Sequence, residues 1–358
     1  MLRIIVAIDR HNQYPQLMAG RPTIRDVAEL AGVHPGTASR ALDPRLEGRI
    51  SAPTAERVRL AARRLGYVAD PVARQLRVRR SAVIGVIVPD LANPVFPPVV
   101  QGIEDALAEA GYVALVANTG NDPGRERDRV TALQGRRCDG YIVASATLDG
   151  TTIGRLTAAA EPVVLVNRET GDPGLPAVSS DDRAGVQAAM AHLAGLGHRV
   201  IAHITGPPNL SVVRTRAEAF RSSAERLGLD PGLLVLRHGP ALTASCAQEA
   251  ALAVLAEVPA ITAILAGNDL MALGCYAAAQ QAGRPCPASL SIVGYNDMPF
   301  VEWWRPALTT VRIPQYEIGQ EAARLLLEQL GSGGHGPAKQ ILLPTSLTLR
   351  SSTGPPPA

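Results

Sequence analysis

Cysteine pairs, long apolar runs and catalytic motifs are all missing from this chain of 358 residues. Its four cysteines, Cys138, Cys246, Cys275 and Cys286, form no C-x-x-C pair, which predicts reduced thiols in the cytoplasm. No apolar run reaches the length of about 18 residues that a membrane span requires. The sequence has no G-x-S-x-G or G-x-x-x-x-G-K-[ST] motif, and its seven histidines lack metal-ligand spacing. We therefore expect no enzyme, no cofactor, no metal site and no membrane partner.

Residues Thr23 to Leu42 have the pattern of two short helices joined by a tight turn. Thr23 is a good N-cap, and Asp26 is placed to reach back to it in a capping box. Gly32 supplies the left-handed backbone of the turn, and Pro35 suits the first turn of the second helix. The expected buried face of the first helix consists of Ile24, Val27, Ala28, Leu30 and Ala31.

The second of these helices presents small polar side chains and one arginine. Such a surface can enter the major groove of DNA, which predicts a helix-turn-helix motif; it comprises Pro35, Gly36, Thr37, Ser39 and Arg40. An αα-hairpin of an ordinary helical domain is the alternative. The charge distribution favours DNA. Residues 21–80 hold 13 arginines against six acidic residues, a net charge of +7, whereas residues 81–358 carry −5.

An arginine-rich segment, residues 67–81, follows a predicted third helix. In this segment Leu76 stands among four arginines, which are Arg74, Arg77, Arg79 and Arg80. A leucine in such a setting can act as a wedge at a minor-groove step of DNA. A charged linker with one packed leucine is the alternative.

From Ala82 onward, short apolar runs alternate with amphipathic helical stretches. Runs such as Val83–Val88 and Val163–Val166 predict the buried parallel strands of a doubly wound α/β fold. Roughly ten such strands are too many for one lobe, so we expect two lobes with a ligand cleft between them. Strands near Leu308–Val311 and Gln340–Leu343 are expected to cross between the lobes.

Polar residues follow the ends of these predicted strands, where ligands of open α/β sheets bind. Side chains of this kind suit a polyhydroxylated ligand, since each hydroxyl both donates and accepts a hydrogen bond. For any single residue, capping of the next helix is the alternative. The set comprises Asp90, Asn93, Phe96, Asn118, Arg168, Asn268, Asn296 and Asp297.

Six motifs between residue 22 and about residue 350 resemble the LacI/GalR family of transcriptional regulators. In chain order they are TIRDVAELAGV with TASRAL, GYVADPVARQL, GVIVPDLANPVF, LAGNDLMALG, SIVGYND and PALTTVRIP. The resemblance implies a helix-turn-helix DNA-binding head and a two-lobed, periplasmic-binding-protein-like effector domain. It further implies a homodimeric repressor that binds a palindromic operator in double-stranded DNA. The implied effector is a small molecule of the carbohydrate class.

For DNA binding, the resemblance implies that the recognition helix contacts bases through Pro35, Gly36 and Arg40 and that Leu76 opens a minor groove. His34 stands where the family usually has a helix-capping serine. The full set of expected DNA contacts is Thr23, Pro35, Gly36, Thr37, Ser39, Arg40, Arg74 and Leu76.

For effector binding, the resemblance makes Arg216 the anchoring arginine, with Phe220 packed behind it. Asn268 corresponds to the asparagine of the family's A-N-D motif. Asn296 replaces an aspartate that often accepts hydrogen bonds from ligand hydroxyls, and Asp297 is kept. Trp303 either covers the cleft or packs at the junction of the lobes.

The predicted domains are a disordered extension (1–20), a helix-turn-helix head (21–66), a hinge (67–81), an effector domain (82–350) and a disordered tail (351–358). The two lobes are expected to comprise residues 82–180 with 309–338 and residues 181–305 with 339–350. A solute-binding protein of the same two-lobed fold is the main rival, but it would need a secretion signal and no basic head. An α/β enzyme with a helical accessory domain is a further alternative.

Overall fold

The computed structural model describes residues 22–42, 46, 48–67, 81–332 and 338–357. The chain divides into two units, Met1–Ser81 and Ala82–Ala358. The predicted extension (1–20) lies outside the described residues, and so does the part of the hinge that contains Arg74 and Leu76.

The first unit contains three helices, α1 (Ile24–Ala31), α2 (Pro35–Ala41) and α3 (Ala52–Leu65). Gly32 ends α1 with a φ of 63°, and the backbone N–H of Val33 then donates to the Ala28 carbonyl at 2.9 Å. This left-handed turn directs the chain straight into α2. The small core between the helices consists of Val27, Ala28, Ala31, Ala38, Ala41, Ala55, Val58, Ala61 and Ala62.

One residue of the predicted α1 face is placed differently. Leu30 is 50% exposed, whereas Val27, Ala28 and Ala31 are buried. A helix turns by about 100° per residue, so Leu30 lies almost opposite Ala28, on the far side of α1 from the core. The prediction that Leu30 belongs to the buried face is therefore wrong.

The second unit contains eight α-helices and twelve strands among its described residues. The helices are α4 (Phe96–Glu109), α5 (Pro123–Gly135), α6 (Thr151–Ala158), α7 (Asp182–Gly195), α8 (Ser211–Leu227), α9 (Ala244–Glu257), α10 (Asp269–Gln281) and α11 (Gln315–Gly331). The strands are β1 (Val83–Val88), β2 (Val113–Asn118), β3 (Gly140–Val143), β4 (Val163–Val166), β5 (Ala177–Ser180), β6 (Ile201–Thr205), β7 (Leu234–His238), β8 (Ala263–Ala266), β9 (Ser291–Asn296), β10 (Thr309–Arg312), β11 (Gln340–Leu343) and β12 (Ser346–Thr348).

These strands form two six-stranded sheets, which are the cores of two lobes. The first has the order β11-β5-β4-β3-β1-β2 and is entirely parallel. The second has the order β12-β10-β9-β8-β6-β7 and is parallel except for β12, which runs antiparallel to β10. The two-lobed, doubly wound α/β architecture predicted from the alternating pattern is thus confirmed.

The chain crosses between the lobes at positions that differ from the predicted lobe boundaries. Thr309 of β10 pairs with Val293 in the second sheet, and Gln340 of β11 pairs with Ala177 in the first. The predicted boundaries, with 309–338 in the first lobe and 339–350 in the second, are therefore wrong. The strand β10 belongs to the second lobe, and β11 belongs to the first. Each crossing follows the end of a strand, because a strand completes its hydrogen bonds in one sheet before the chain leaves it.

The C-terminal residues 351–357 are packed against the second sheet, so the prediction of a disordered tail is wrong for them. Ser352 is fully buried; its hydroxyl donates to the Ile292 carbonyl at 2.6 Å and its carbonyl accepts from the Ile292 N–H at 2.9 Å. The pairing of β10 with β9 begins only at Val293. The tail therefore satisfies the backbone groups of β9 that β10 leaves unpaired.

Candidate DNA-binding and effector sites

The start of α1 is fixed by the predicted capping partners. The backbone N–H and the hydroxyl of Thr23 both donate to Oδ2 of Asp26, at 2.7 and 2.9 Å. These two hydrogen bonds stabilise the carboxylate and lower the pKa of Asp26. The Thr23 hydroxyl, an expected DNA contact, is thus oriented at the N-terminus of α1.

His34 caps α2 in place of the serine that is usual in the family. Its Nδ1 accepts a hydrogen bond from the Gly36 N–H at 3.1 Å, so the ring proton lies on Nε2. Pro35 occupies the first helical position, where a missing N–H has no cost. The departure at residue 34 therefore preserves the cap by a different side chain.

The orientation of α2 separates its buried residues from the predicted DNA contacts. Ala38 and Ala41 are buried in the helical core. Gly36 and Arg40 are exposed, and Pro35, Thr37 and Ser39 are partly exposed. The Nε–H of Arg40 donates to the Gly36 carbonyl at 3.1 Å, which holds the guanidinium along this exposed face. The five predicted contacts of α2 thus share one accessible surface.

A cavity of about 390 Å³ lies between the two lobes of the second unit. It opens at the carboxyl ends of the strands in both sheets, where the sequence places its polar residues. Of the predicted effector contacts, four line this cavity, namely Asp90, Asn93, Phe96 and Arg168. Asp90 and Asn93 also accept backbone hydrogen bonds from Ala92 and Val95, two residues further along the chain, but neither side chain caps α4.

Five other predicted contacts lie outside the lining of the cavity. The Oδ1 of Asn118 accepts from the Gly120 N–H, and that of Asn268 caps α10 by accepting from the Met271 N–H at 2.8 Å. Asn296 is buried with a φ of 113°, and its carbonyl accepts from Gln315. The remaining two are Asp297, which pairs with Arg350 at 2.8 Å, and Trp303, which is exposed and lies beside Phe300.

Arg216 also lies outside the cavity lining, in a buried network of the second lobe. Its guanidinium donates to the Gly267 carbonyl at 2.7 Å and to Oδ1 of Asp182 at 3.1 Å. Its central carbon lies 3.7 Å from the ring centroid of Tyr295. Asp182 directly follows the crossing from β5, so Arg216 holds the first residues of the second lobe to the carboxyl end of β8.

Several lining residues were not among the predicted contacts. Ser145 lies two residues beyond β3, so the strand-end rule could have found it, as the rule does find Thr119, which directly follows β2. Glu126 lies on α5, and Asp149 lies in a loop several residues beyond a strand. No sequence signal distinguishes these last two from ordinary surface carboxylates.

The polar groups of the cavity are only partly paired with one another. The Ser145 hydroxyl donates to Glu126 at 2.8 Å, and Arg168 donates to Oδ1 of Asn121 at 3.2 Å. Burial raises the pKa of Glu126 and lowers the pKa of Arg168 to about 10. Nε of Arg168 and the hydroxyl oxygen of Thr119 are buried without a hydrogen-bond partner. Because protein atoms cover these two groups, the cavity offers a ligand the other polar groups of its lining, such as those of Asp90 and Asn93.

In residues 22–42, 46, 48–67, 81–332 and 338–357, no three His, Cys, Asp or Glu side chains are placed to hold a metal ion. Within the same ranges, no helix has the length and apolar character to span a bilayer.

A capped helix pair followed by two α/β lobes around a cavity defines a ligand-regulated DNA-binding protein. Residues 23–70 match the model of bacterial regulatory proteins of the lacI family, and residues 190–353 match that of the periplasmic binding protein-like domain. The ribose operon repressor of Halalkalibacterium halodurans is 32% identical over 92% of this chain and 97% of its own length. The chain belongs to the lacI family of bacterial transcriptional regulators.

Solved structures agree with this assignment. The Lac repressor dimer bound to operator and the anti-inducer ONPF is 29% identical, with a TM-score of 0.82 over 94% of this chain and all of that chain. A complex of the transcriptional regulator CelR with cellobiose is 28% identical, with a TM-score of 0.71 over 93% of this chain and all of that one. The chain is thus a DNA-binding transcriptional regulator and not an enzyme, as the sequence predicts.

Proposed function

We propose that this chain acts in the cytoplasm as a homodimeric repressor whose operator affinity is set by a carbohydrate in the cavity between its lobes. The observation that carries this proposal is the cavity between the lobes, which polar side chains line at the strand ends, among them Asp90, Asn93 and Arg168. Each hydroxyl of a polyhydroxylated molecule can both donate to and accept from such side chains. The names of two relatives, a ribose operon repressor and a regulator in complex with cellobiose, support the same ligand class.

Within the head, we assign operator contacts to the exposed face of α2. Arg40 is the residue of this face that can form a bidentate hydrogen bond to guanine. Thr37 and Ser39 supply hydroxyls for phosphates or base edges, and Pro35 and Gly36 allow the backbone to approach the groove closely. Thr23 lies at a helix N-terminus, which suits a phosphate contact. The roles of Arg74 and Leu76 remain predictions from the sequence.

Regulation would pass through the crossings between the lobes. The chain passes between the two sheets after β5, β10 and β11, so the lobes can rotate about three closely spaced connections. A ligand that fills the cavity favours the closed arrangement of the lobes only by its differential affinity for that arrangement. A coupling of about 1–3 kcal/mol between effector and operator is typical of such regulators.

The test combines two measurements on the full chain. Thermal-shift experiments with ribose, cellobiose and other neutral sugars should identify a stabilising ligand, and fluorescence anisotropy with a selected operator should then show a changed operator affinity. Arg168→Met should abolish the sugar response and leave operator binding of the ligand-free protein unchanged. Equal sugar responses in the parent and Arg168→Met, or no sugar response in the parent, would contradict the proposal.

A further inference from the structure

The two walls of the effector cavity differ in chemistry. The first lobe contributes nearly all of the charged and hydrogen-bonding side chains, including Asp90, Glu126 and Arg168. The second lobe contributes mainly leucine, proline and alanine, including Leu242 and Leu270. A ligand in this cavity therefore meets a polar surface on one side and an apolar surface on the other.

The apolar wall is a distinct feature of the second lobe. Leu210 forms a separate small cluster with Val212 and Val213, against which Leu242 packs, apart from the main hydrophobic core. Asn209 and Thr243 are the polar residues of this wall. The Thr243 hydroxyl already accepts from the Cys246 N–H as the cap of α9. Few hydrogen bonds to a ligand are therefore available from this side.

The polar wall carries an excess of negative charge. Asp90, Glu126 and Asp149 bring three carboxylates to the lining, against the single guanidinium of Arg168. Burial raises the pKa of Glu126, and the nearby Asp149 adds to this effect, whereas Ser145 and Arg168 lower the same pKa. A phosphate group would introduce up to two more negative charges beside these carboxylates.

We propose that the cavity is specific for an uncharged glycoside, with its sugar hydroxyls on the first lobe and an apolar aglycone on the second. Arg168 donates to the ring and hydroxyl oxygens, and the carboxylates accept from the hydroxyls. The aglycone covers Leu210, Leu242 and Leu270 when the lobes close. Phosphorylated sugars are rejected. This inference rests on the proposed carbohydrate effector and narrows it to one chemical form.

The experiment compares matched ligands by titration calorimetry with the full chain. For glucose, galactose and ribose in turn, the probes are the free sugar, its methyl β-glycoside, its p-nitrophenyl β-glycoside and its terminal phosphate ester. In the series that binds, the p-nitrophenyl glycoside should bind roughly tenfold tighter than the methyl glycoside, a difference of about 1.4 kcal/mol. The phosphate ester should bind at least roughly 100-fold more weakly than the free sugar.

Two pairs of variants test the two walls separately. Glu126→Gln keeps the acceptor for Ser145 but removes a charge, so it should strengthen phosphate binding, whereas the exposed Glu104→Gln should not. Leu242→Asn should remove the preference for the p-nitrophenyl glycoside, whereas the exposed Leu233→Asn should retain it. The melting temperature of each variant establishes that it is folded.

The outcomes separate this inference from the proposed function. If a sugar series binds but the phosphate ester binds as tightly as the free sugar, or the aglycone has no effect, the uncharged-glycoside inference is wrong and the carbohydrate effector stands. If no neutral compound of any series binds to a chain that still binds its operator, both are wrong. If Glu126→Gln and Leu242→Asn behave like their matched controls, the assignment of the two walls is wrong.

Discussion

Replacement of Arg216 by methionine should destabilise the second unit more than any change on its surface. Arg216 is 5% exposed, and its partner Asp182 is buried with it at an N–O distance of 3.1 Å. Methionine fills similar space but leaves the Asp182 carboxylate with only the Ser180 hydroxyl and leaves the Gly267 carbonyl without its donor. Removal of one partner from a buried ion pair costs about 3–5 kcal/mol.

A neighbouring ion pair on the same two helices provides the control. Arg183 and Glu218 join α7 and α8 as Asp182 and Arg216 do, but they are 51% and 52% exposed and 3.6 Å apart. Exposed pairs contribute about 0–1 kcal/mol because water and salt screen them. We therefore expect Arg183→Met to change the free energy of unfolding by less than about 1 kcal/mol.

The assay is urea unfolding of the full chain, monitored by circular dichroism. The proteins compared with the parent are Arg216→Met, Arg183→Met, Asp182→Asn and the double variant Arg216→Met/Asp182→Asn. The double variant should recover part of the loss, because it removes both buried charges. Since Arg216 does not line the cavity, the sugar affinity of Arg216→Met should change by less than roughly threefold if that variant remains folded. The opposite result, loss of sugar binding with unchanged stability, would refute this reasoning and support the anchoring role that the family resemblance implies.

The C-terminal tail, the buried His203 and the exposed Arg40 each have a measurable effect. Truncation after Arg350 deletes the hydrogen bonds of Ser352 with β9 and β10 and should lower stability by about 1–3 kcal/mol in urea unfolding; an unchanged midpoint would show that the tail does not contribute. Burial lowers the pKa of His203 from 6.5 to about 4. The free energy of unfolding is therefore highest above pH 6.5, where the ring is neutral in both states, and it decreases by about 3 kcal/mol as the pH falls through 4. His203→Gln should flatten the stability profile over that range, and a parallel profile would contradict the assignment. Arg40→Ala should weaken operator binding by about 1–3 kcal/mol and relax specificity at one position of each half-site, as measured by binding-site selection, whereas equal loss at all sequences would indicate a phosphate contact.

The elements that sequence reasoning located are those whose signal is local. Strands such as β1 and β4 are buried on both faces and therefore appear as continuous apolar runs. The apolar-run pattern does not predict the strand β5, because its sequence AVSS is short and half polar. Its two serines are buried all the same, because Ser179 donates to Glu169 and Ser180 to Asp182. A pairing of that kind depends on partners that the pattern of one segment does not reveal.

The strand-end rule identified the location of the cavity better than its individual contacts. It correctly directed attention to the loops that carry Asp90, Asn93 and Arg168, since the carboxyl ends of parallel strands share one edge. It could not find Glu126, which reaches the cavity from a helix. It also could not separate lining residues from caps such as Asn268, since both uses place an asparagine directly after a strand.

The two buried arginines of the effector domain show what decides between a structural and a ligand-binding role. Each loses its hydration on burial, and a buried guanidinium is stable only when something replaces that hydration. For Arg216, the carboxylate of Asp182 does so, and the network is complete apart from Nε. For Arg168, no carboxylate of the described residues lies within ion-pairing distance, one hydrogen bond goes to an asparagine, and Nε faces no acceptor. Glu126 stabilises the charge of Arg168 only from beyond that distance. Because Arg168 lines the cavity and Arg216 does not, we expect Arg168, rather than Arg216, to anchor the effector.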